Sequence, residues 1–117
     1  VFLNLTAGAG RPAGELSGGQ KKLLELGRVL MVAPRCILLD EPFAGVNPVL
    51  IEEIAGRIRD LNARGIAFLI VEHNLEVLSR LVRTMYVMDR GRIIACGAPG
   101  DMLADVAVRE AYMGGIV

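Results

Sequence analysis

The first candidate functional motif is Leu16–Gln20, near the start of the 117-residue chain. Ser17 and Gln20, three residues apart, fit a capping box and predict that a helix begins here. Gly18 and Gly19 leave the first backbone N–H groups of this helix uncovered. Free N–H donors and the helix dipole both favour negative charge, so the pattern predicts an anion site. An ordinary capped helix is the alternative, although each glycine lowers helix propensity by roughly 1 kcal/mol.

Two further groups follow short apolar runs. Asp40 and Glu41 come directly after Cys36–Leu39, and His73 is the second residue after Ile66–Val71. Both runs predict buried strands, and ligands of open parallel sheets bind beyond the carboxyl ends of the strands. Each feature alone has a plainer interpretation, because an acidic pair at a strand end is often a solvated turn and a single histidine is often structural.

Helices between these groups must position them. The first is expected from Ser17 to about Ala33, and its apolar residues lie nearly all round it, which predicts that it is largely buried. Asn47 is expected to cap a second helix, with Pro48 at its first position and Gly65 after its end. A strand, a helix and a strand in this order imply a parallel pair of strands.

The last third of the chain predicts smaller elements. They are a short helix from Asn74 to about Arg83, a hairpin of strands 84–88 and 92–96, and two helical segments at about 100–105 and 106–113. The expected fold class is therefore α/β, with a mostly parallel sheet flanked by helices and a C-terminal β-hairpin followed by short helices.

Composition narrows the class of protein. Hydrophobic residues make up 53% of the chain, which predicts strands buried on both faces, but no apolar run reaches the ~18 residues of a membrane span. Thirteen basic and thirteen acidic residues are interspersed without a basic stripe, so no nucleic-acid partner is expected. Cys36 and Cys96 match no metal-ligand spacing and are expected to be reduced, buried thiols.

Together these residues resemble the ATP-binding cassette (ABC) ATPases. Leu16–Gln20 is similar to the signature motif of that family, and Cys36–Asp40 followed by Glu41 is similar to the Walker B strand and its catalytic glutamate. Ala44–Asn47 occupies the position of the D-loop, and His73 that of the switch histidine. The resemblance implies a P-loop NTPase-like (RecA-like) fold, with ATP and Mg²⁺ as cofactors.

The subfamily and the extent of the resemblance follow from other residues. Glu41–Pro48 and Glu110–Gly114 look most like the ATPases of branched-chain amino-acid importers, and lipopolysaccharide-export ATPases look similar through the first of these segments. No G-x-x-x-x-G-K-[ST] occurs in the chain, and the Gln loop is absent as well. Residues 1–117 are therefore expected to form a partial, C-terminal ABC ATPase domain that is inactive alone.

The resemblance implies roles at the strand ends. Asp40 would hold Mg²⁺, usually through water, because hard cations prefer oxygen ligands. Glu41 would act as general base on the attacking water, and His73 would hydrogen-bond the γ-phosphate.

The resemblance also implies roles in a partner's ATP site. Ser17, Gly18 and Gly19 would bind the γ-phosphate of an ATP held by a second ATPase subunit, since two cassettes sandwich two nucleotides head to tail. Gln20 would support that loop. Asn47 would act in the D-loop, where many relatives carry Asp, and both Gln20 and Asn47 have the alternative of being only helix caps.

Three functions remain open from the sequence. The leading hypothesis is an ATP-hydrolysing subunit that binds transmembrane permease subunits at the cytoplasmic face of the inner or plasma membrane and powers transport, with branched-chain amino acids as the expected cargo. A second is a non-catalytic module that completes a partner's ATP site in trans. A third is an ABC protein acting on DNA or ribosomes, which the even charge balance disfavours.

Overall fold

The computed structural model describes residues 3–113, without the side chain of Met113. Gly114, part of the C-terminal resemblance, lies outside the described residues. The chain divides into two compact units, Val1–His73 and Asn74–Val117.

The first unit contains the signature-like helix and the two strands that carry candidate residues at their ends. Its elements are 3₁₀ helices at Thr6–Gly8 and Ala13–Glu15, α1 (Gly18–Leu30), β1 (Cys36–Asp40), α2 (Pro48–Ala63) and β2 (Ala67–Val71). Strands β1 and β2 pair in parallel, in register from Cys36 opposite Ala67 to Asp40 opposite Val71. The predicted parallel pair is therefore confirmed.

Helix α1 begins where the capping box predicts and ends earlier than expected. Its last residue is Leu30, and Ala33 lies beyond it with a left-handed φ of 48°, which cannot continue a helix. Only Gly19, Leu23 and Leu26 of this helix are buried. The prediction of a largely buried helix is wrong, because only one stripe of α1 is fully buried, whereas Leu24 and Leu30 are half-buried and Val29 is exposed.

Helix α2 forms as its sequence predicts. The Asn47 side chain accepts a hydrogen bond from the Leu50 amide at 3.0 Å, and Pro48 occupies the first turn. Gly65 follows the helix with a φ of 96°, a conformation that glycine adopts without strain. Leu61, near the end of α2, shares one core cluster with Leu26 of α1 and Ile37 of β1.

The β1–β2 pair is covered on one face only. Ile37 is buried, whereas its neighbour Leu38 is 72% exposed, and Leu69 and Val71 of β2 are exposed on the same side as Leu38. The prediction of strands buried on both faces is therefore wrong for the described residues. The expectation of buried thiols is wrong as well: Cys36, on this open face, and Cys96 in the second unit are both free and exposed.

The second unit is a hairpin with three short helices. Its elements are α3 (Leu75–Leu81), β3 (Met85–Asp89), β4 (Arg92–Gly97), α4 (Pro99–Ala104) and α5 (Val106–Met113). Strands β3 and β4 are antiparallel, and Arg90 and Gly91 between them both have positive φ, as a type I′ hairpin turn requires. No helix between residues 3 and 113 has the length and apolar character needed to cross a bilayer.

The open face of the β1–β2 pair predicts self-association of the 117-residue chain. Leu38→Glu together with Leu69→Glu should shift the chain toward the monomer, because carboxylates on this face oppose its burial against a second surface. Sedimentation velocity measures the change. Val49→Glu is the matched control, since Val49 is an exposed apolar residue outside the sheet. An unsubstituted chain that is already monodisperse and monomeric would contradict the prediction. So would a shift toward the monomer by Val49→Glu that equals the shift by the double substitution.

Candidate active site at the ends of the parallel strands

The parallel register brings the candidate residues to one edge of the sheet. Asp40 ends β1 level with Val71, which ends β2. The Glu41 amide then donates to the Val71 carbonyl at 2.8 Å, extending the ladder by one bond. His73 is the second residue after Val71, so the sheet brings Asp40, Glu41 and His73 to the same edge.

Glu41 and His73 are in contact at this edge. The Glu41 Oε1 atom lies 3.4 Å from His73 Nδ1, and the two side chains are 52% and 70% exposed. Glu41 also has a φ of 45°, which is uncommon for a residue other than glycine and costs energy that the surrounding structure must offset. The pair therefore presents an acceptor and an imidazole to solvent, where a substrate could reach both.

Glu72, between β2 and His73, belongs to none of the motifs in the sequence. The Glu72 side chain is only 1% exposed, and its two oxygens accept hydrogen bonds from the Phe43 amide at 2.9 Å and the His73 amide at 3.0 Å. The available signal was a carboxylate directly after a fully apolar strand, since buried carboxylates require partners.

A second cluster lies at the start of α1. The Ser17 amide donates to Gln20 Oε1 at 3.0 Å, and the Gln20 amide donates to Ser17 Oγ at 3.2 Å, which confirms the capping box. The box leaves the first-turn amides of Gly18 and Gly19 for an acceptor from outside the helix.

The two glycines differ in what surrounds them. A Cβ added to Gly18 would meet open space, as an approaching ligand requires. A Cβ added to Gly19 would overlap the Leu50 side chain and lie 3.3 Å from Cγ1 of Val46. Packing against the start of α2 therefore accounts for the absence of a side chain at Gly19, and only Gly18 has open space where its side chain would be. Ligand binding by the amides of Gly18 and Gly19 stays a prediction.

The two clusters have separate sets of polar contacts. Within residues 3–113, no hydrogen bond or ion pair links Ser17 or Gln20 with Asp40, Glu41 or His73. The segment from Glu41 to Asn47 runs between them. Gln20 and Asn47 both act as caps, so their binding of nucleotide stays a prediction.

Asp40, at the end of β1, could contribute one ligand to a magnesium ion that is also bound by groups outside this chain. The described residues contain no group of three or more His, Cys, Asp or Glu side chains that could hold a metal by themselves. Mg²⁺ is commonly bound by one or two carboxylates together with substrate phosphates and water, and the exposed Asp40 carboxylate fits that donor set.

A cavity beside Asp40 is too small to hold a nucleotide. It measures 210 Å³ and is lined by residues of α1, β1 and α2, together with Pro42. Pockets that enclose drug-sized ligands measure roughly 300–1,000 Å³. The first unit thus presents Glu41 and His73 on an exposed edge, and further surface would be needed to enclose a nucleotide.

Fold and site together define part of an α/β domain of the P-loop NTPase class. The chain matches the ABC transporter family over residues 3–44 and the branched-chain amino acid ATP-binding cassette transporter family over residues 92–116. Its fold matches a crystal structure of an ATP-binding cassette of an ABC transporter in its ADP conformation, with a TM-score of 0.89 and 46% identity over 97% of this chain and 46% of that one. These findings place the chain in the ABC ATPase family.

Two curated relatives carry more specific names. A probable branched-chain amino acid transport ATP-binding protein, LivG of Methanocaldococcus jannaschii, is 46% identical over 97% of this chain and 46% of its own length. The lipopolysaccharide export system ATP-binding protein LptB of Acidithiobacillus ferridurans is 42% identical over 85% of this chain and 41% of its own length. The chain thus spans about half the length of the curated relatives it matches.

The crowding at Gly19 gives a stability prediction. Gly19→Ala should lower the free energy of unfolding by about 1–3 kcal/mol, because the added methyl group overlaps Leu50. Gly18→Ala, into open space, should be neutral or stabilising by up to about 1 kcal/mol. Urea denaturation measures both. In a double-mutant cycle, Leu50→Ala should remove most of the penalty of Gly19→Ala. Equal effects at the two glycines, or additivity with Leu50→Ala, would refute the packing explanation.

Proposed function

We propose that this chain is the C-terminal half of the ATP-hydrolysing subunit of an ABC transporter. The observation that carries the proposal is the meeting of Asp40, Glu41 and His73 at one edge of a parallel sheet, with Glu41 Oε1 3.4 Å from His73 Nδ1. Phosphoryl transfer needs charge stabilisation and a positioned water more than covalent chemistry by the protein. A carboxylate for the metal, a second carboxylate for the water and an imidazole donor supply those needs.

Each of the three residues takes one task. Bound Mg²⁺ supplies neutralisation of phosphate charge, and Asp40 would hold it. The Glu41 carboxylate orients the attacking water and accepts its proton. His73 donates a hydrogen bond to the γ-phosphate.

The start of α1 serves a different ATP molecule. Ser17 and the amides of Gly18 and Gly19 bind the γ-phosphate of an ATP held by a second ATPase subunit, arranged head to tail with the first. Gln20 and Asn47 fix the ends of the two helices on which this contact depends. The open space over Gly18 supports this assignment. Because the chain contains no G-x-x-x-x-G-K-[ST] motif, we expect that the chain alone does not hydrolyse ATP.

Hydrolysis would then be coupled to transport at the cytoplasmic face of the membrane. ATP joins the two subunits and hydrolysis releases them, which moves transmembrane permease subunits between conformations. Branched-chain amino acids are the proposed cargo, supported by the LivG relative and by the match of residues 92–116 to the branched-chain amino acid ATP-binding cassette transporter family. Lipopolysaccharide export is the second candidate, supported by 42% identity to LptB.

The general base is tested in the full-length ATPase that contains this chain. Glu41→Gln should reduce turnover at least a hundredfold while ATP still binds, because the amide accepts a proton far less readily than the carboxylate. The variant should also remain an ATP-bound dimer, which gel filtration with ATP detects.

Glu76→Gln is the matched control, since Glu76 is 86% exposed on α3 and should leave turnover unchanged. Wild-type turnover by Glu41→Gln, or a variant that stays monomeric with ATP, would refute the assignment of Glu41.

A further inference from the structure

A buried carboxylate joins the two backbone segments that carry Glu41 and His73. The Glu72 side chain, 1% exposed, accepts the Phe43 amide through Oε1 at 2.9 Å and the His73 amide through Oε2 at 3.0 Å. Burial of a carboxylate is unfavourable unless it is hydrogen-bonded, and bonds from amides to an ionised acceptor are among the stronger ones in proteins. Two such bonds make Glu72 a fixed point between segments 29 residues or more apart in sequence.

Both amides lie next to the reactive side chains. Phe43 is two residues beyond Glu41, its side chain is buried, and the turn between them is closed by a bond from the Ala44 amide to the Glu41 carbonyl at 3.1 Å. The second amide belongs to His73 itself. Glu72 therefore restrains the backbone on both sides of the contact between Glu41 and His73.

The Glu41–His73 contact needs such a restraint. Both side chains are more than half exposed, and ion pairs and hydrogen bonds at such exposure contribute little to holding two groups together. Glu41 also has a strained backbone conformation, which persists only where neighbouring interactions maintain it. The buried carboxylate meets this requirement without reaching solvent.

We infer that Glu72 is a positioning residue for ATP hydrolysis. Its carboxylate links the backbone beyond Glu41 to the His73 amide by two hydrogen bonds, and so keeps the Glu41 and His73 side chains close enough to act on the same substrate. The inference rests on the proposed function. Glu72 itself is turned away from solvent and acts through its two neighbours.

Hydrogen exchange in the full-length protein that contains this chain tests whether the Glu72 carboxylate restrains the Phe43 and His73 amides. Glu72→Ala should accelerate exchange of the Phe43 and His73 amides by roughly tenfold or more, because both lose their acceptor. Glu72→Gln keeps one oxygen acceptor and should accelerate only one of the two amides. Exchange in Ala67–Val71 shows whether each variant is folded, and Glu76→Ala is the matched control. Unchanged exchange at both amides in folded Glu72→Ala would overturn the inference.

Steady-state kinetics test whether the restraint by Glu72 contributes to the rate of ATP hydrolysis. Glu72→Ala should lower kcat roughly 10- to 100-fold with the KM for ATP changed less than about threefold, and Glu72→Gln should recover part of the loss. Normal kcat in a Glu72→Ala protein with fast-exchanging amides would make Glu72 a structural residue only and overturn the inference. Absence of turnover in the unsubstituted protein would instead refute the proposed function. Hydrogen exchange would still show whether Glu72 restrains the Phe43 and His73 amides.

Discussion

The parallel pairing of β1 with β2 is the constraint on which the first unit depends. It ends both strands level, at Asp40 and Val71, and so directs Glu41 and His73 to the same edge. A shift of one residue would move Ile37 from the core to the open face and separate Glu41 from His73. The core cluster of Leu26, Ile37 and Leu61 therefore fixes the position of the Glu41–His73 pair as well as stabilising the unit.

The segment after Glu41 is held at both ends by contacts distant in sequence. At its start, Glu72 accepts the Phe43 amide, and at its end Val46 lies beside Gly19 at the beginning of α1. Asn47 then caps α2 and fixes the direction in which the chain leaves. The strand-end cluster and the start of α1 are thus parts of one packed arrangement, although no hydrogen bond among the described residues joins them directly.

Local signals predicted most of the helices and strands. Ser17 with Gln20, Asn47 with Pro48, and Arg90 with Gly91 each specify their structure through bonds or dihedral preferences within a few residues, so the sequence suffices.

Features set by contacts distant in sequence were missed or wrong. The exposure of Cys36, the fit of Gly19 against Leu50 and the two bonds of Glu72 depend on which surfaces meet in the folded chain, and residue types along the sequence do not report that. The apolar pattern of β1 predicted cover on both faces, whereas the described residues cover one.

Under the proposed function, Glu41 and Ser17 of one subunit serve different ATP molecules. Covalently linked dimers of the full-length ATPase distinguish this arrangement from a site within one subunit, with Glu41→Gln and Ser17→Arg placed on the same subunit or on opposite ones. Composite sites predict roughly half of normal turnover when the substitutions are on opposite subunits, since one site stays intact, and almost none when they share a subunit. The reverse pattern, with activity kept when both substitutions share a subunit, would contradict the account.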